Sequence, residues 1–313
     1  MKTELFNAGL VLAALAASAV AVVLQVEQDG VGPEIIRVED GIQEVPDQLE
    51  DARGVVVATG HYQRIVSTNT VADHLLLNIV EPERLVAITG YTHEGHEEAW
   101  RFGERSVLKK SQDVEQILGL RPDLVITSEF ADEAFMARIR EQGIPVFDLG
   151  NMRGVASTLE DIKVLGQLLK QPVRARYLQE SYRRELDGLL SALPEGPQPS
   201  GVYLTVLGDS FFGGSQGTSY ADLMHYGGIA DLAAENGYSD WPRYSSEELL
   251  MMNPNLILTQ EGRGDVICQH SALSKLAACH PGGRVLELYG RYHTDPGLGI
   301  VEAAQQVQML MAQ

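Results

Sequence analysis

The stretch PVRARYLQESYRRELDGLLSAL, residues 172–193, predicts one long helix near the middle of the chain. Proline suits the first turn of a helix, where its missing N–H costs no hydrogen bond. The apolar side chains recur at steps of three and four residues, which places them along one helical face. They are Leu178, Tyr182, Leu186, Leu189 and Leu193. At about 1.5 Å per residue, such a helix would be roughly 33 Å long.

A repeated motif lies on either side of this helix. Residues 114–129, VEQILGLRPDLVITSE, align without a gap with residues 246–261, SEELLMMNPNLILTQE. Each copy has the pattern of a helix, a turn marked by proline, a buried strand and a polar loop. The repeat therefore predicts a duplicated lobe on each side of the linking helix.

Short apolar runs rich in β-branched residues alternate with helical patterns throughout both flanking regions. This alternation is typical of a parallel sheet with helices on both faces. We therefore predict an α/β fold, with two three-layer lobes that contain parallel sheets and are joined by a single long helix. The predicted parts are a signal peptide or membrane anchor (1–24), an acidic spacer (25–54), an N-terminal α/β lobe (55–171), the linker helix (172–193) and a C-terminal α/β lobe (200–313).

The charge and the N-terminus restrict the class of protein. The 313 residues include 24 basic and 43 acidic ones and carry a net charge of −19, which argues against a nucleic-acid binder. Lys2 precedes an unbroken run of small and apolar residues, 8–24, with A-x-A-like sites at 17–19 and 19–21. This pattern predicts a secretory signal peptide, and the length of the run leaves a retained anchor open. Either alternative predicts an exported, periplasmic protein.

The two cysteines, Cys268 and Cys279, lie close together in the sequence. Because an exported protein meets oxidising conditions, a disulfide is the leading interpretation. Two free thiols, or a metal site shared with His270 and His280, are the alternatives.

Four segments taken together resemble a known family. They are RIVSTNTVADHLLLNIVEPERLVAI (64–88), VEQILGLRPDLVI (114–126), WPRYSSEELLMMNPNLILT (241–259) and HTDPGLGIVEAAQQV (293–307). In order and spacing they are similar to the substrate-binding proteins of ABC importers for cobalamin, ferric siderophores and haem. The resemblance implies a ligand held between the lobes, no catalysis and no cofactor. It also implies a monomer that delivers an iron chelate or a corrinoid to an inner-membrane permease.

Loops that follow the predicted strands are expected to line the ligand cleft. In the first lobe they supply Thr68, Asn69, Thr70, Tyr91, His93, Glu129 and Phe130. In the second lobe they supply Asp209, Ser210, Phe211, Trp241, Arg263, Tyr292 and His293. The resemblance places Tyr91 and Trp241 where cobalamin-binding members have aromatic contacts, which could grip a planar ligand by stacking.

Glu115 and Glu247 occupy equivalent positions in the repeat, each in the first turn of its helix. The resemblance implies that they dock onto permease arginines, whereas a purely local role would be stabilisation of the helix N-terminus. Leu108 stands where haem-binding members carry a tyrosine, which counts against haem.

Three other functions stay open from the sequence. Tyr91, His93 and His96 could ligate a metal, although the H-E-G-H spacing differs from H-E-x-x-H. A membrane-anchored sensor domain could use the same fold. Gly208-Asp209-Ser210 is similar to the nucleophile block of GDS-type serine hydrolases, but no aspartate lies three residues before His293.

Overall fold

The computed structural model describes residues 45–95, 103, 105–290 and 296–313, and of residues 93–95 it describes the backbone only. The predicted signal peptide or anchor (1–24) lies outside the described residues, as do His96, Tyr292 and His293. Within the described ranges, no helix combines the length and the apolar character needed to cross a bilayer.

The described chain begins with a small antiparallel hairpin formed by β1 (Gln48–Glu50) and β2 (Val56–Ala58). Residues 48–54 of this hairpin fall in the predicted acidic spacer, but the hairpin packs onto the body of the protein. Val57 is 5% exposed and belongs to the first apolar core.

The first sheet is built from short strands that are mostly buried. They are β3 (Ile65–Ser67), β4 (Leu85–Thr89), β5 (Ser106–Leu108), β6 (Leu124–Thr127) and β7 (Val146–Asp148). All are parallel, in the order β5-β4-β3-β6-β7. The helices of this first lobe are α1 (Thr70–Ile79), α2 (Gly90–Gly95), α3 (Val114–Gly119) and α4 (Glu133–Arg140), and a 3₁₀ turn spans Pro82–Arg84. Helices on both faces explain why the strands are nearly continuous apolar runs.

Two helices connect the lobes. Helix α5 (Val155–Leu168) leads into the long helix α6 (Pro172–Ser191), which matches the predicted linker closely. Ala175 of α6 packs in the first core, whereas Tyr182, Leu186 and Leu189 pack in the second. Helix α5 lies against α6, since a Cβ at Gly166 would approach Ala175 Cβ to 2.2 Å.

The second sheet contains the remaining strands. They are β8 (Ser200–Leu207), β9 (Ser210–Gly214), β10 (Ala230–Asp231), β11 (Arg243–Tyr244), β12 (Leu256–Gln260) and β13 (Arg284–Leu288). The order is β11-β9-β8-β12-β13, with β10 beside β8. Unlike the predicted parallel sheet, this one is mixed, because β9 runs antiparallel to both β8 and β11. Gly208 and Asp209 join β8 to β9 in a tight turn that requires a positive φ, and Gly208 supplies it at 56°.

The helices of this second lobe are α7 (Ser219–Gly227), α8 (Leu232–Glu235), α9 (Ser246–Met252), α10 (Gly264–Gln269) and α11 (Ile300–Met311), and a 3₁₀ turn spans Ala277–Cys279. As predicted, Cys268 and Cys279 form a disulfide, with Cα atoms 5.4 Å apart. It ties α10 to the 3₁₀ turn, and it removes both thiols as metal ligands.

The sequence repeat has the same structure in both copies. Helix α3 precedes β6, and helix α9 precedes β12. The N-caps fall at equivalent positions, where Asp113 and Ser245 each accept a hydrogen bond from a backbone N–H in the first turn. Strand β6 lies between β3 and β7, as β12 lies between β8 and β13.

Candidate functional site

A pocket of about 300 Å³ opens at the carboxyl ends of the first-lobe strands. Such edges are where open α/β sheets bind ligands, because the loops that follow neighbouring strands converge there. The lining is formed by Thr68, Asn69, Thr70, Thr89, Tyr91, Ser111, Gln112, Thr127, Ser128, Phe130 and Ala131. Hydroxyl and amide groups dominate it, and none of these residues carries a charge.

The loop between β3 and α1 forms one wall of the pocket. Asn69 caps α1, since its Oδ1 accepts hydrogen bonds from Val71 N (2.8 Å) and Ala72 N (3.2 Å). Its Nδ2 donates to Ser128 Oγ at 3.1 Å, which joins this loop to the loop after β6. Thr68 Oγ1 lies 3.1 Å from Thr127 Oγ1. Asn69 therefore holds the wall together, and its polar atoms are engaged within the protein.

A buried carboxylate lies beneath the pocket. Asp73 on α1 is fully buried, and its Oδ2 accepts hydrogen bonds from Thr89 N (2.9 Å), Thr89 Oγ1 (2.9 Å) and Thr92 Oγ1 (2.6 Å). Burial raises the pKa of Asp73 to about 6, although hydrogen bonds from Ser67, Thr92 and Thr89 act to lower it. At neutral pH the group is therefore mostly ionised, and it fixes Thr89 and the start of α2.

Two aromatic side chains flank the opening. Tyr91 is 71% exposed and Phe130 is 76% exposed. The Phe130 loop is held from below by Gln112, whose Nε2 donates to Phe130 O at 3.2 Å and whose Oε1 accepts from Asp132 N at 3.0 Å. The two rings are thus presented to solvent from supported backbone.

The tip of the β1–β2 hairpin supports the same loop. Arg53 pairs with the carboxylate of Asp148, at the end of β7, and Asp148 is 1% exposed. The guanidinium also donates to Ala131 O at 2.8 Å and Glu129 O at 3.2 Å. Asp51, buried beside it, accepts from the backbone N–H of Arg53 at 2.9 Å. This N-terminal segment therefore fixes the pocket wall that carries Phe130.

In the second lobe, Trp241 is 46% exposed and lies close to the first lobe. The Arg153 guanidinium carbon sits 5.2 Å from the centroid of its ring, and Arg153 also forms an ion pair with Asp240. Arg153 follows β7 and Trp241 precedes β11, so this contact joins the carboxyl edge of the first sheet to the start of β11 in the second. A second link is the hydrogen bond from Val155 N to Asp222 Oδ2, 2.7 Å long.

The other predicted second-lobe residues have varied surroundings. Ser210 Oγ accepts a hydrogen bond from Arg243 Nη2 at 2.9 Å, and Asp209 lies 3.3 Å from His270 Nε2. Arg263 precedes α10 as its N-cap. Phe211 is 4% exposed and packs in the core of the second lobe, because alternate residues of a strand point to opposite faces. We therefore leave Phe211 out of the proposed site.

The pocket brings together some of the predicted residues, namely Thr68, Asn69, Thr70, Tyr91 and Phe130. The lining residues that were not predicted are Thr89, Ser111, Gln112, Thr127 and Ala131, whereas Ser128 lies in the predicted loop 128–130. A signal was present: Thr89 and Thr127 are polar residues that end otherwise apolar strands. Tyr91 and His93 share α2, but the His93 side chain and His96 lie outside the described part. Among the described residues, no group of three metal-binding side chains comes together.

Glu115 and Glu247 both have exposed side chains in the first turns of α3 and α9. Neither makes an ion pair with a basic residue of the described chain. Next to Glu247, Met251 is 83% exposed and Leu250 is 38% exposed. The two glutamates are available to an external partner.

Comparison with known families settles the class of protein. Residues 65–282 match the family described as periplasmic binding protein. The chain belongs to this family. The predicted resemblance is thereby confirmed as membership of this family of binding proteins. The match begins after the β1–β2 hairpin.

Individual relatives of this periplasmic binding protein are distant. A cobalamin-binding protein of Halobacterium salinarum is 21% identical over 257 residues, which span 77% of this chain and 67% of that one. A possible iron-binding, periplasmic solute-binding protein from Staphylococcus epidermidis superimposes with a TM-score of 0.71 at 16% identity, covering 81% of this chain and 100% of the other. The haem-binding protein HutB of Vibrio cholerae gives 0.67 at 20%, with coverage of 80% and 99%. These structural likenesses support the α/β binding-protein fold.

Proposed function

We propose that this periplasmic binding protein captures a corrinoid or an iron chelate at the carboxyl edges of its two sheets and delivers it to a membrane permease. The observation that carries the proposal is the first-lobe pocket between Tyr91 and Phe130, two aromatic residues that are mostly exposed. Exposed rings beside a polar cavity fit a large, partly planar ligand that stacks on the rings and hydrogen-bonds below them. The cobalamin-binding relative agrees with this ligand class.

The second lobe would supply the opposite side of the site. Trp241 is an exposed aromatic residue of this lobe, and Arg153 covers part of its ring. The other proposed second-lobe contacts are Asp209, Ser210, Arg263, Tyr292 and His293. Glu129 is a further proposed contact from the first lobe. Binding at two lobes held by α5 and α6 needs only small tilts between them.

Haem is a second candidate, because solved relatives bind it. In this chain, the position where haem-binding members carry a tyrosine is Leu108, which is 1% exposed and packs in a separate apolar core of the first lobe. A buried leucine offers no axial ligand to iron. We therefore rank corrinoids and siderophores above haem.

A ligand panel tests the proposal. The purified protein is titrated with cyanocobalamin, haemin, ferrioxamine B, ferric citrate and free metal ions, with tryptophan fluorescence as the readout. Tyr91→Ala is expected to weaken binding of the active ligand about tenfold, since buried aromatic contacts dominate such interfaces. Tyr177→Ala is the matched control, because Tyr177 is 62% exposed on α6. No response to any compound would contradict the proposal.

Glu115 and Glu247 are proposed to dock the protein onto arginines of the permease. Both are exposed and lie at equivalent places in the two lobes. The double variant Glu115→Arg/Glu247→Arg should abolish ligand uptake by cells while the ligand affinity of the purified protein stays unchanged. Normal uptake by this variant would rule out the docking role.

We also propose that the protein converts nothing chemically and acts as an exported monomer, free or tethered by an uncleaved N-terminal helix. Ser210 Oγ accepts from Arg243, and the nearby His270 pairs with Asp209. If the protein showed esterase activity and Ser210→Ala abolished it, the result would instead favour the serine-hydrolase alternative. Activity of the protein in signalling without a permease would favour the sensor.

A further inference from the structure

The first-lobe pocket also indicates what kind of group its ligand carries, an inference that rests on the proposed function. Its described lining residues carry no charge, although the chain as a whole has a net charge of −19. A ligand carboxylate entering the pocket would therefore find no cation among them. Burying an unpaired charge is costly, so the pocket disfavours such a group.

The direction of the hydrogen bonds makes the pocket rich in acceptors. Thr89 Oγ1 donates its proton down to Asp73 Oδ2 at 2.9 Å. Thr68 Oγ1 donates inward as well, to Ile126 O at 3.3 Å or Thr127 Oγ1 at 3.1 Å. A hydroxyl has a single proton, so both oxygens can offer only lone pairs to a ligand.

The lining amides each use one of their two N–H donors within the protein. Asn69 Nδ2 donates to Ser128 Oγ, and Gln112 Nε2 donates to Phe130 O. Below the threonines lies the carboxylate of Asp73, which has no basic partner among the described residues. Its charge adds a negative field beneath the pocket, which attracts donors and repels anions.

We infer that the pocket of Thr68, Thr89 and their neighbours binds an N–H donor of the ligand, such as a primary carboxamide or a secondary amide, and rejects carboxylates. The ligand class is therefore a corrinoid or siderophore with amide groups at its periphery. A carboxylate in the same place would face the lone pairs of two threonines and a buried acid.

Matched probes test this inference. Dicyanocobinamide and dicyanocobyrinic acid share one corrin ring, but the first carries carboxamides where the second carries carboxylates. Ferrioxamine B and ferric citrate form a second pair, with and without amide N–H groups. In at least one pair, the amide member should bind about ten- to hundredfold more tightly, the equivalent of losing one charged hydrogen-bond partner.

Variants of the protein test whether the preference for amide over carboxylate probes arises in this pocket. Asp73→Asn should narrow the ratio of the two dissociation constants at least severalfold by weakening the rejection of carboxylates. Asp161→Asn, at a buried acid on the connecting helix α5, is the control and should keep the ratio. If Asp73→Asn does not fold, Thr68→Val removes one acceptor and should weaken the amide probe about tenfold.

The outcomes distinguish failure of the amide inference from failure of the proposed importer function. Equal or tighter binding of the carboxylate members, or preferred binding of haemin with its propionates, would overturn the amide inference and leave the importer role intact. Selectivity that Asp73→Asn and Thr68→Val both leave unchanged would also overturn it. Absence of binding to every probe would contradict the amide inference and the proposed function together.

Discussion

The two lobes share a repeated helix–strand unit, yet they differ beside their first strands. In the first lobe, β3 leads through helix α1 to β4, and the two strands are parallel. In the second lobe, β8 turns directly into β9, and the pair is antiparallel. The crossover places a helix N-terminus and a polar loop at the carboxyl edge, whereas the hairpin places only Gly208 and Asp209 there. The pocket is accordingly lined by first-lobe residues.

The lobes also differ in what their interiors hold. Asp73 is buried in the first lobe, and Asp161 is buried on the connecting helix α5. The second lobe has buried tyrosines, with Tyr203 stacked on Tyr220 at a centroid separation of 3.7 Å, and a disulfide. Burial raises the pKa of Tyr203 far above its usual range, so it stays neutral across physiological pH. The comparison indicates that the repeated helix–strand unit gives both lobes a common scaffold. The structural differences between the lobes then place the pocket in the first one.

The largest predicted effect concerns Asp161. Burial, together with the neighbouring Glu160, raises the pKa of Asp161 to about 7, and its Oδ2 has no hydrogen-bond partner among the described residues. The folded state keeps this proton at higher pH than the unfolded state does. The free energy of unfolding therefore falls as the pH rises from about 4 to about 7.

Asp161→Asn removes this pH dependence and should raise the free energy of unfolding by about 2–4 kcal/mol at pH 8, with little change at pH 4. Urea unfolding at the two pH values measures it. Asp187→Asn, at an exposed position on α6, is the control and should change little at either pH. A gain of the same size at both pH values would show that ionisation is not its cause.

In the second lobe, the disulfide between Cys268 and Cys279 contributes to the free energy of unfolding. The bond closes a loop with a sequence separation of 11 residues. Cys268→Ala/Cys279→Ala should lower the free energy of unfolding by about 3 kcal/mol, mainly by loosening the unfolded chain. Hydrogen exchange should rise in residues 264–279 and stay unchanged in the first sheet. Equal acceleration in both lobes would mean that the lobes unfold as one cooperative unit.

In the first lobe, Arg53 has a comparable anchoring role. Arg53→Gln leaves the buried carboxylate of Asp148 without its cation, which should cost about 2 kcal/mol because the arginine is itself partly exposed. Amide exchange should accelerate at residues 129–131, and ligand affinity should fall with it. Arg138→Gln, at an exposed arginine of α4, is the control. Unchanged exchange at residues 129–131 would remove the hairpin from the proposed site.

Sequence reasoning was reliable where the pattern is local. The linker helix follows from apolar spacing, and the repeated unit follows from its own composition. The direction of β9 was not predictable, because an apolar run has the same pattern in a parallel or an antiparallel strand. The pattern Gly208-Asp209-Ser210 predicts a loop or a hydrolase motif, whereas in the structure it forms the turn between β8 and β9.

In the candidate site, too, residues marked by a local pattern were predicted and the others were not. Thr68, Tyr91 and Phe130 were predicted as loop residues after strands, whereas Thr89 and Thr127 end the strands themselves. Arg53 was beyond prediction, since its partner Asp148 lies 95 residues away in the chain. Contacts of that range depend on the tertiary fold, and no local pattern encodes them.

The smallest predicted effect on stability belongs to the contact between the lobes. Arg153 and Asp240 have side chains 43% and 56% exposed, so Arg153→Gln should cost only about 0.5 kcal/mol. Its effect on Trp241 should be larger, because the guanidinium covers part of the ring. In a Trp100→Phe background, acrylamide should quench Trp241 more strongly after this change. Unchanged quenching would contradict the contact between Arg153 and the Trp241 ring. If Arg153→Gln binds ligand more tightly, Arg153 must move away before the ligand can stack on the ring. If it binds ligand more weakly, Arg153 is itself a ligand contact.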